Sequence, residues 1–267
     1  MDRYKHENQF KIYHDFCLSC SDNDTTFSNF RSDPEYRGVL EHCTTDHGHQ
    51  YRNVIELHKE IYPKISIFQR NDLIGNPERN LYNVDVDSVM AFSPTTLRYV
   101  KVACDLEKFL GDLSGLKICE IGGGYGGQFL VLDALYKDLD YYIVDLRGAL
   151  AISKKYLDNY ELSSNITYIE PEHVESSQYD LIISNYAFSE FLLDIQNFYT
   201  DKILSSSTNG YITYNNWPNN FTLNDYQTKF KATIIEDFPV LCEDNRIIFW
   251  GGSTINNKWY EYWNQDT

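Results

Sequence analysis

From Ser93 onward, short apolar runs and helical stripes follow one another in a steady alternation. Ser93 before Pro94 marks a helix start: serine accepts from the first free amides, and proline fits the first turn. Tyr99, Val102, Ala103, Leu106, Phe109 and Leu110 then recur three and four apart, and Gly111 closes the stripe. The apolar run 116–121 predicts a buried strand, and 129–135 a helix. Strands are expected at 141–144, 166–169 and 179–184, with a helix over 147–160. A further helix, 187–198, would bury Phe188, Phe191, Leu192, Ile195 and Phe198. Asn209 and Gly210 read as a turn into a strand at 211–214. A helix at 222–231 precedes two runs, 233–238 and 246–252, joined so closely that they should pair antiparallel. The order predicts an α/β fold: a doubly wound, mostly parallel seven-stranded sheet with an antiparallel last strand.

The first third has a different texture. Residues 1–35 are polar, with a short helix expected near 8–16. In 30–57 the anchors Tyr36, Val39, Leu40, Tyr51 and Ile55 are mixed with His42, His47 and His49. Two helices separated by a loop centred on Gly48 are the natural reading. Residues 68–80 read as a loop rich in hydroxyl-binding groups, among them Arg70, Asn71, Asp72 and Asn76. The chain therefore divides into a mainly helical N-terminal segment, 1–90, which serves the substrate side, and a cofactor-binding domain, 91–267.

Chemistry concentrates at the end of the first strand. Glu120 is followed by Gly122, Gly123, Gly124, Gly126 and Gly127. Strand, glycine turn and helix form the nucleotide-binding hook of α/β proteins. Gly122, Gly124 and Gly127 satisfy the dinucleotide pattern G-x-G-x-x-G. Glu120 with Gly122, Gly124 and Gly126 satisfies E-x-G-x-G-x-G, the pattern of S-adenosylmethionine (SAM) methyltransferases. The carboxylate favours the second: it repels a pyrophosphate and suits a donor carrying an ammonium and a sulfonium. Asp145, 25 residues after Glu120, stands where both ribose hydroxyls of a nucleoside could be held.

Composition narrows the partners. A formal net charge of −16 over 267 residues opposes phosphate backbones, so no nucleic-acid partner is expected. No apolar run is long enough for a membrane span, and the first ten residues lack a signal core, which predicts a cytoplasmic protein. Cys17 and Cys20 form C-x-x-C, but Cys43, His47 and His49 lack the usual zinc spacing; Cys104, Cys119 and Cys242 are scattered. Reduced thiols and no metal are expected.

Taken together, EHCTTDHGHQY, NDLIGNP, SPTTLRY, EIGGGYGGQ and SNYAFSE resemble, in this order, a class I SAM-dependent methyltransferase over about residues 90–252, and more narrowly the sugar O-methyltransferase family. The resemblance implies that Glu120, Gly122, Gly124 and Gly126 surround the methionyl part of SAM. Asp145 then holds the ribose, and residues near Glu170 approach the adenine. Tyr125, Gln128, Leu146 and Asn185 complete the expected cofactor site. A hydroxyl acceptor needs a base: Glu190 is the first choice, Asp72 the second, and His42, His47 or His49 the third, with Tyr186 beside the methyl group. Arg70, Asn76, Arg98 and Asn215 are expected to bind the acceptor, a sugar or glycan residue. Asn185-Tyr186 lacks the two prolines of the Asn-Pro-Pro-Tyr motif of base-amino methylation. Other small-molecule methylation, a nicotinamide oxidoreductase and a silent SAM-binding module are the alternatives. A homo-oligomer is compatible with the chain.

Overall fold

A computed structural model describes residues 3–85, 88–239 and 244–251. The N-terminal third is helical: α1 (Arg3–Asp22), α2 (Asp24–Ser28), α3 (Pro34–Arg37) and α4 (Thr45–Glu56). A 3-10 stretch, Tyr62–Asp72, covers part of the expected loop, and leads into a hairpin of β1 (Asn80–Asp85) and β2 (Ser88–Phe92) that the apolar pattern does not announce. Gly48 lies inside α4 and not in a loop. Thr44 and His47 form a reciprocal capping box at the helix start. A side chain at Gly48 would collide with the Tyr82 hydroxyl, so the glycine makes room for the hairpin.

After Ser93 the expected order is present. Ser93 caps α5 (Pro94–Leu110) by accepting from the Thr96 amide, and Gly111 ends it at φ +77°. The helix is buried on almost every side, so Arg98, Lys101 and Asp105 are interior. Then come β3 (Lys117–Ile121), α6 (Gly127–Leu135), β4 (Asp140–Val144), α7 (Arg147–Leu157), β5 (Asn165–Ile169) and β6 (Leu181–Asn185). The expected helix over 187–198 is broken. Phe191 is extended between α8 (Ala187–Glu190) and α9 (Leu193–Tyr199), and the break rotates the apolar stripe. Phe188 is buried, but Leu192, Ile195 and Phe198 are exposed, and Gln196 and Tyr199 face inward instead.

The last part contains β7 (Asn209–Tyr214), α10 (Leu223–Phe230), β8 (Thr233–Glu236) and β9 (Arg246–Trp250). Asn209 and Gly210 belong to β7; the indole of Trp250 fills the space a side chain on Gly210 would need. The seven strands run β5-β4-β3-β6-β7-β9-β8. The first five are parallel; β9 is antiparallel to both β7 and β8. This is the doubly wound sheet expected from the pattern. Its order reverses at β3 and β6, and such a crevice outside the carboxyl ends of the strands is where ligands bind. Cys242, the end of the last expected strand at Gly252 and the aromatic tail lie outside the described residues.

One of the two hydrophobic cores joins the N-terminal segment to the sheet. Phe30, Tyr36, Tyr125 and Tyr156 pack there in edge-to-face and tilted pairs, with ring centroids 4.8 to 6.5 Å apart among the contacting pairs. Arg31 is fully buried there, ion-paired to Glu41 and to Asp72, with its guanidinium 4.7 Å from the Tyr125 ring centre. No helix among the described residues is long and apolar enough to cross a membrane.

Candidate active site at the carboxyl ends of the central strands

The turn after β3 is built to bring backbone close. Gly122, Gly124 and Gly126 all have positive φ, at 78°, 56° and 85°. Ala187 and Leu40 lie where side chains on Gly122 and Gly124 would go. Tyr125 points the other way, into the aromatic core, and so supports the turn from behind rather than lining it.

Two carboxylates stand at the mouths of adjacent strands. Glu120 is 2% exposed and accepts from the Tyr141 hydroxyl at 2.9 Å. Burial, and to a smaller degree the Asp145 charge, raise its pKa from 4.5 to about 7. Asp145 accepts the amide of Gly124 at 2.8 Å and that of Leu146 at 2.7 Å. Burial raises it from 3.8 to about 6, against the pull of those two amides. A carboxylate has about four lone-pair positions, so Asp145 keeps capacity for two hydroxyls. Neither carboxylate has an ion-pair partner among the described residues. The site thus holds two carboxylates whose ionised forms burial disfavours, beside a turn at positive φ, which fits a cationic ligand and resists an anionic one.

Asn185, at the end of β6, joins the turn to the next strand. Its Nδ2 lies 3.4 Å from Gln128 Oε1, and its Oδ1 accepts from Thr213. Gln128 is buried and donates to the Tyr99 carbonyl. Tyr186 follows at φ +70°, a conformation that a bulky residue rarely adopts and that turns its ring out of the strand line. Its hydroxyl lies 3.4 Å from Asp237. Asp237 in turn receives Lys101, which is shared with Asp105.

Glu190 closes the far side. Asn215, after β7, donates to it at 2.6 Å, and the Trp217 side chain bonds it as well. Burial raises its pKa, against the pull of those two hydrogen bonds. Asn185, Tyr186, Glu190 and Asn215 therefore gather at the ends of β6 and β7.

Other expected residues lie elsewhere. Asp72 is saturated: it pairs with Arg31 and accepts from the Ser93 amide, the Ser93 hydroxyl and the Thr96 hydroxyl. It fixes the start of α5. Arg70 donates to the Leu130 carbonyl and pairs with Asp133 on α6, which ties the N-terminal segment to that helix. Asn76 is an exposed turn residue bonded to Asn29. His47 caps α4, and His49 lies against the Tyr82 ring. His42 is neutral, its pKa lowered to about 4 by burial and by Arg98. Two residues were not anticipated, Asp237 and Trp217. Trp217 has a signal, an indole in an asparagine-rich loop after a strand. Asp237 has none, because only the antiparallel return of β8 and β9 brings it to Tyr186. Among the described residues, no group of three or more metal-binding side chains comes together.

No family model matches this chain, and no curated protein matches it. Solved structures share its outline. A Thermoplasma acidophilum protein aligns over 60% of this chain and 91% of its own, at 13% identity and a TM-score of 0.43. A Pyrococcus horikoshii protein provisionally described as an RNA methyltransferase covers 60% and 85%, at 14% and 0.42. A SAM-bound amino pentose methyltransferase from Micromonospora echinaspora, involved in calicheamicin biosynthesis, covers 57% and 89%, at 8% and 0.44. Likeness of this size does not reach a shared substrate.

Proposed function

We propose that this chain is a SAM-dependent methyltransferase acting on a hydroxyl group of a sugar. The observation that carries the donor is the pair of buried carboxylates, Glu120 and Asp145, left without counter-charge beside a turn held at positive φ. An ammonium and a sulfonium would supply the missing positive charge, whereas a pyrophosphate would add to the repulsion.

When bound, SAM supplies an electrophilic methyl carbon on a sulfonium. The protein's own part is to position and to deprotonate. Glu120 would hold the donor's ammonium end and Asp145 its ribose hydroxyls. Glu190 is the favoured base: burial makes its carboxylate more basic, and Asn215 and Trp217 fix its direction. Glu190 would accept the proton of the acceptor hydroxyl, so that the oxygen could take the donor's methyl group and S-adenosylhomocysteine would leave. Side-chain amides of Asn185 and Asn215, with an indole beside them, suit a polyhydroxylated acceptor.

The test is SAM turnover with a panel of hexoses, deoxy sugars and amino sugars. Glu190→Gln is expected to leave SAM affinity within about twofold and to lower kcat by about 10² to 10⁴. Unchanged kcat removes Glu190 as base. Thermal stabilisation by NAD, with none by SAM or S-adenosylhomocysteine, overturns the donor itself.

A further inference from the structure

Among the described residues, one buried guanidinium has two N–H positions that no neighbour matches. Arg98, on the second turn of α5, is 5% exposed. Its Nε and Nη1 are buried without a hydrogen-bond partner among the described residues. The guanidinium lies 5.4 Å from the ring centre of Tyr99 and 5.7 Å from that of Tyr186. Rings hold a guanidinium in place but do not satisfy its N–H groups. Arg31 shows the contrast: equally interior, it is matched by Glu41, Asp72, Ser93 and a backbone carbonyl. Lys101, one turn along, is held between Asp105 and Asp237.

The position of Arg98 says what it faces. Tyr186 belongs to the acceptor side of the site, after β6. The charge of Arg98 is also felt by His42, Cys43 and Tyr51 of the N-terminal segment. His42 and Cys43 also line a cavity of about 450 Å³ beside the start of α5, which Arg98 borders through them and does not itself line. Arg98 thus stands beside Tyr186, at the end of β6 and apart from the glycine turn.

We propose that Arg98 receives a carboxylate of the acceptor, so that the substrate class is a sugar acid such as a hexuronate. The inference rests on the methyl-transfer reading and deepens it. A guanidinium fork matches a carboxylate with two parallel hydrogen bonds. A phosphate dianion is disfavoured: Lys101 is already engaged twice, His42 is neutral, and the chain as a whole carries −16. In that negative field a fixed cation is what admits an acidic acceptor at all.

Calorimetry with galacturonate and glucuronate, against galactose, glucose and glucose 1-phosphate, tests the assignment. Each is titrated with and without S-adenosylhomocysteine. The uronates are expected to bind at least about tenfold tighter than the neutral hexoses and the phosphate. Arg98→Gln is expected to lose that margin while binding S-adenosylhomocysteine as the parent does; Arg98→Lys, with charge but no fork, should fall between. Melting curves establish that both variants are folded. Uronate binding unaltered in Arg98→Gln overturns the proposal. So does equal binding of hexoses, or tighter binding of the phosphate. A tenfold loss of S-adenosylhomocysteine affinity with uronate binding intact would assign the guanidinium to the donor's carboxylate, and also overturns it. Failure of the parent to bind S-adenosylhomocysteine sinks the methyl-transfer reading and leaves the uronate comparison readable by itself.

Discussion

Glu120 and Asp145 make the protein's response to pH a property of two side chains. Folding raises Glu120 from 4.5 to about 7 and Asp145 from 3.8 to about 6. Between the ordinary and the raised values the folded chain keeps protons that the unfolded chain has lost. These two groups therefore favour folding most at the acid end, and their contribution falls as pH rises through that window. A bound cation reverses the preference, because it favours the ionised carboxylates. Titration of SAM at pH 6, in buffers of different ionisation enthalpy, should show release of about one proton and tighter binding toward pH 8. Binding without proton release would mean that the donor's charge is met elsewhere. The carboxylates and the glycine turn are legible in the chain because strand, acid and glycines are contiguous. Arg98 is legible in the chain only as a polar residue near the start of the helix that precedes the first sheet strand. Its lack of a partner could not be read, since that depends on which distant side chains pack around α5.

At the scale of elements, local signals worked where local physics decides. Ser93 with Pro94, the strand at β3 and the close return of β8 to β9 follow from capping, apolar run length and short connection. They failed where a distant side chain overrules a local preference. Gly48 suggests a loop, yet it sits in α4 because the Tyr82 ring needs the space. Gly210 likewise suggests a turn until Trp250 is seen against it. The stripe over 187–198 is periodic in writing but is interrupted at Phe191, so its phase is lost. Alanine normally improves a helix interior over glycine by about 1 kcal/mol. Gly48→Ala should instead destabilise by about 1–3 kcal/mol, since its methyl group must displace the Tyr82 ring. Urea unfolding measures the sign, and a gain in stability would show that the hairpin yields freely.

For the whole molecule, one hydrophobic core runs from the opening helices to the sheet. Arg31 is the pin between the two parts. It is fully buried and joins Glu41 of the N-terminal segment to Asp72, which in turn holds the start of α5. Removing one partner of a buried ionic cluster strands the others. Arg31→Ala should cost about 3–5 kcal/mol, read as a lowered midpoint in urea. Hydrogen exchange should then show α2 to α4 losing protection ahead of the sheet. Uniform loss across the chain would place the pin's effect on global folding instead.

Tyr125 stands in the middle of the glycine turn, yet its ring stacks among Phe30, Tyr36 and Tyr156. The loop expected to grip the coenzyme is therefore shaped from behind by residues written almost a hundred positions earlier. The two stretches are mechanically coupled: a change that shifts the opening helices moves the rings on which the turn rests. Grafting this sheet onto another leader would require carrying those rings along.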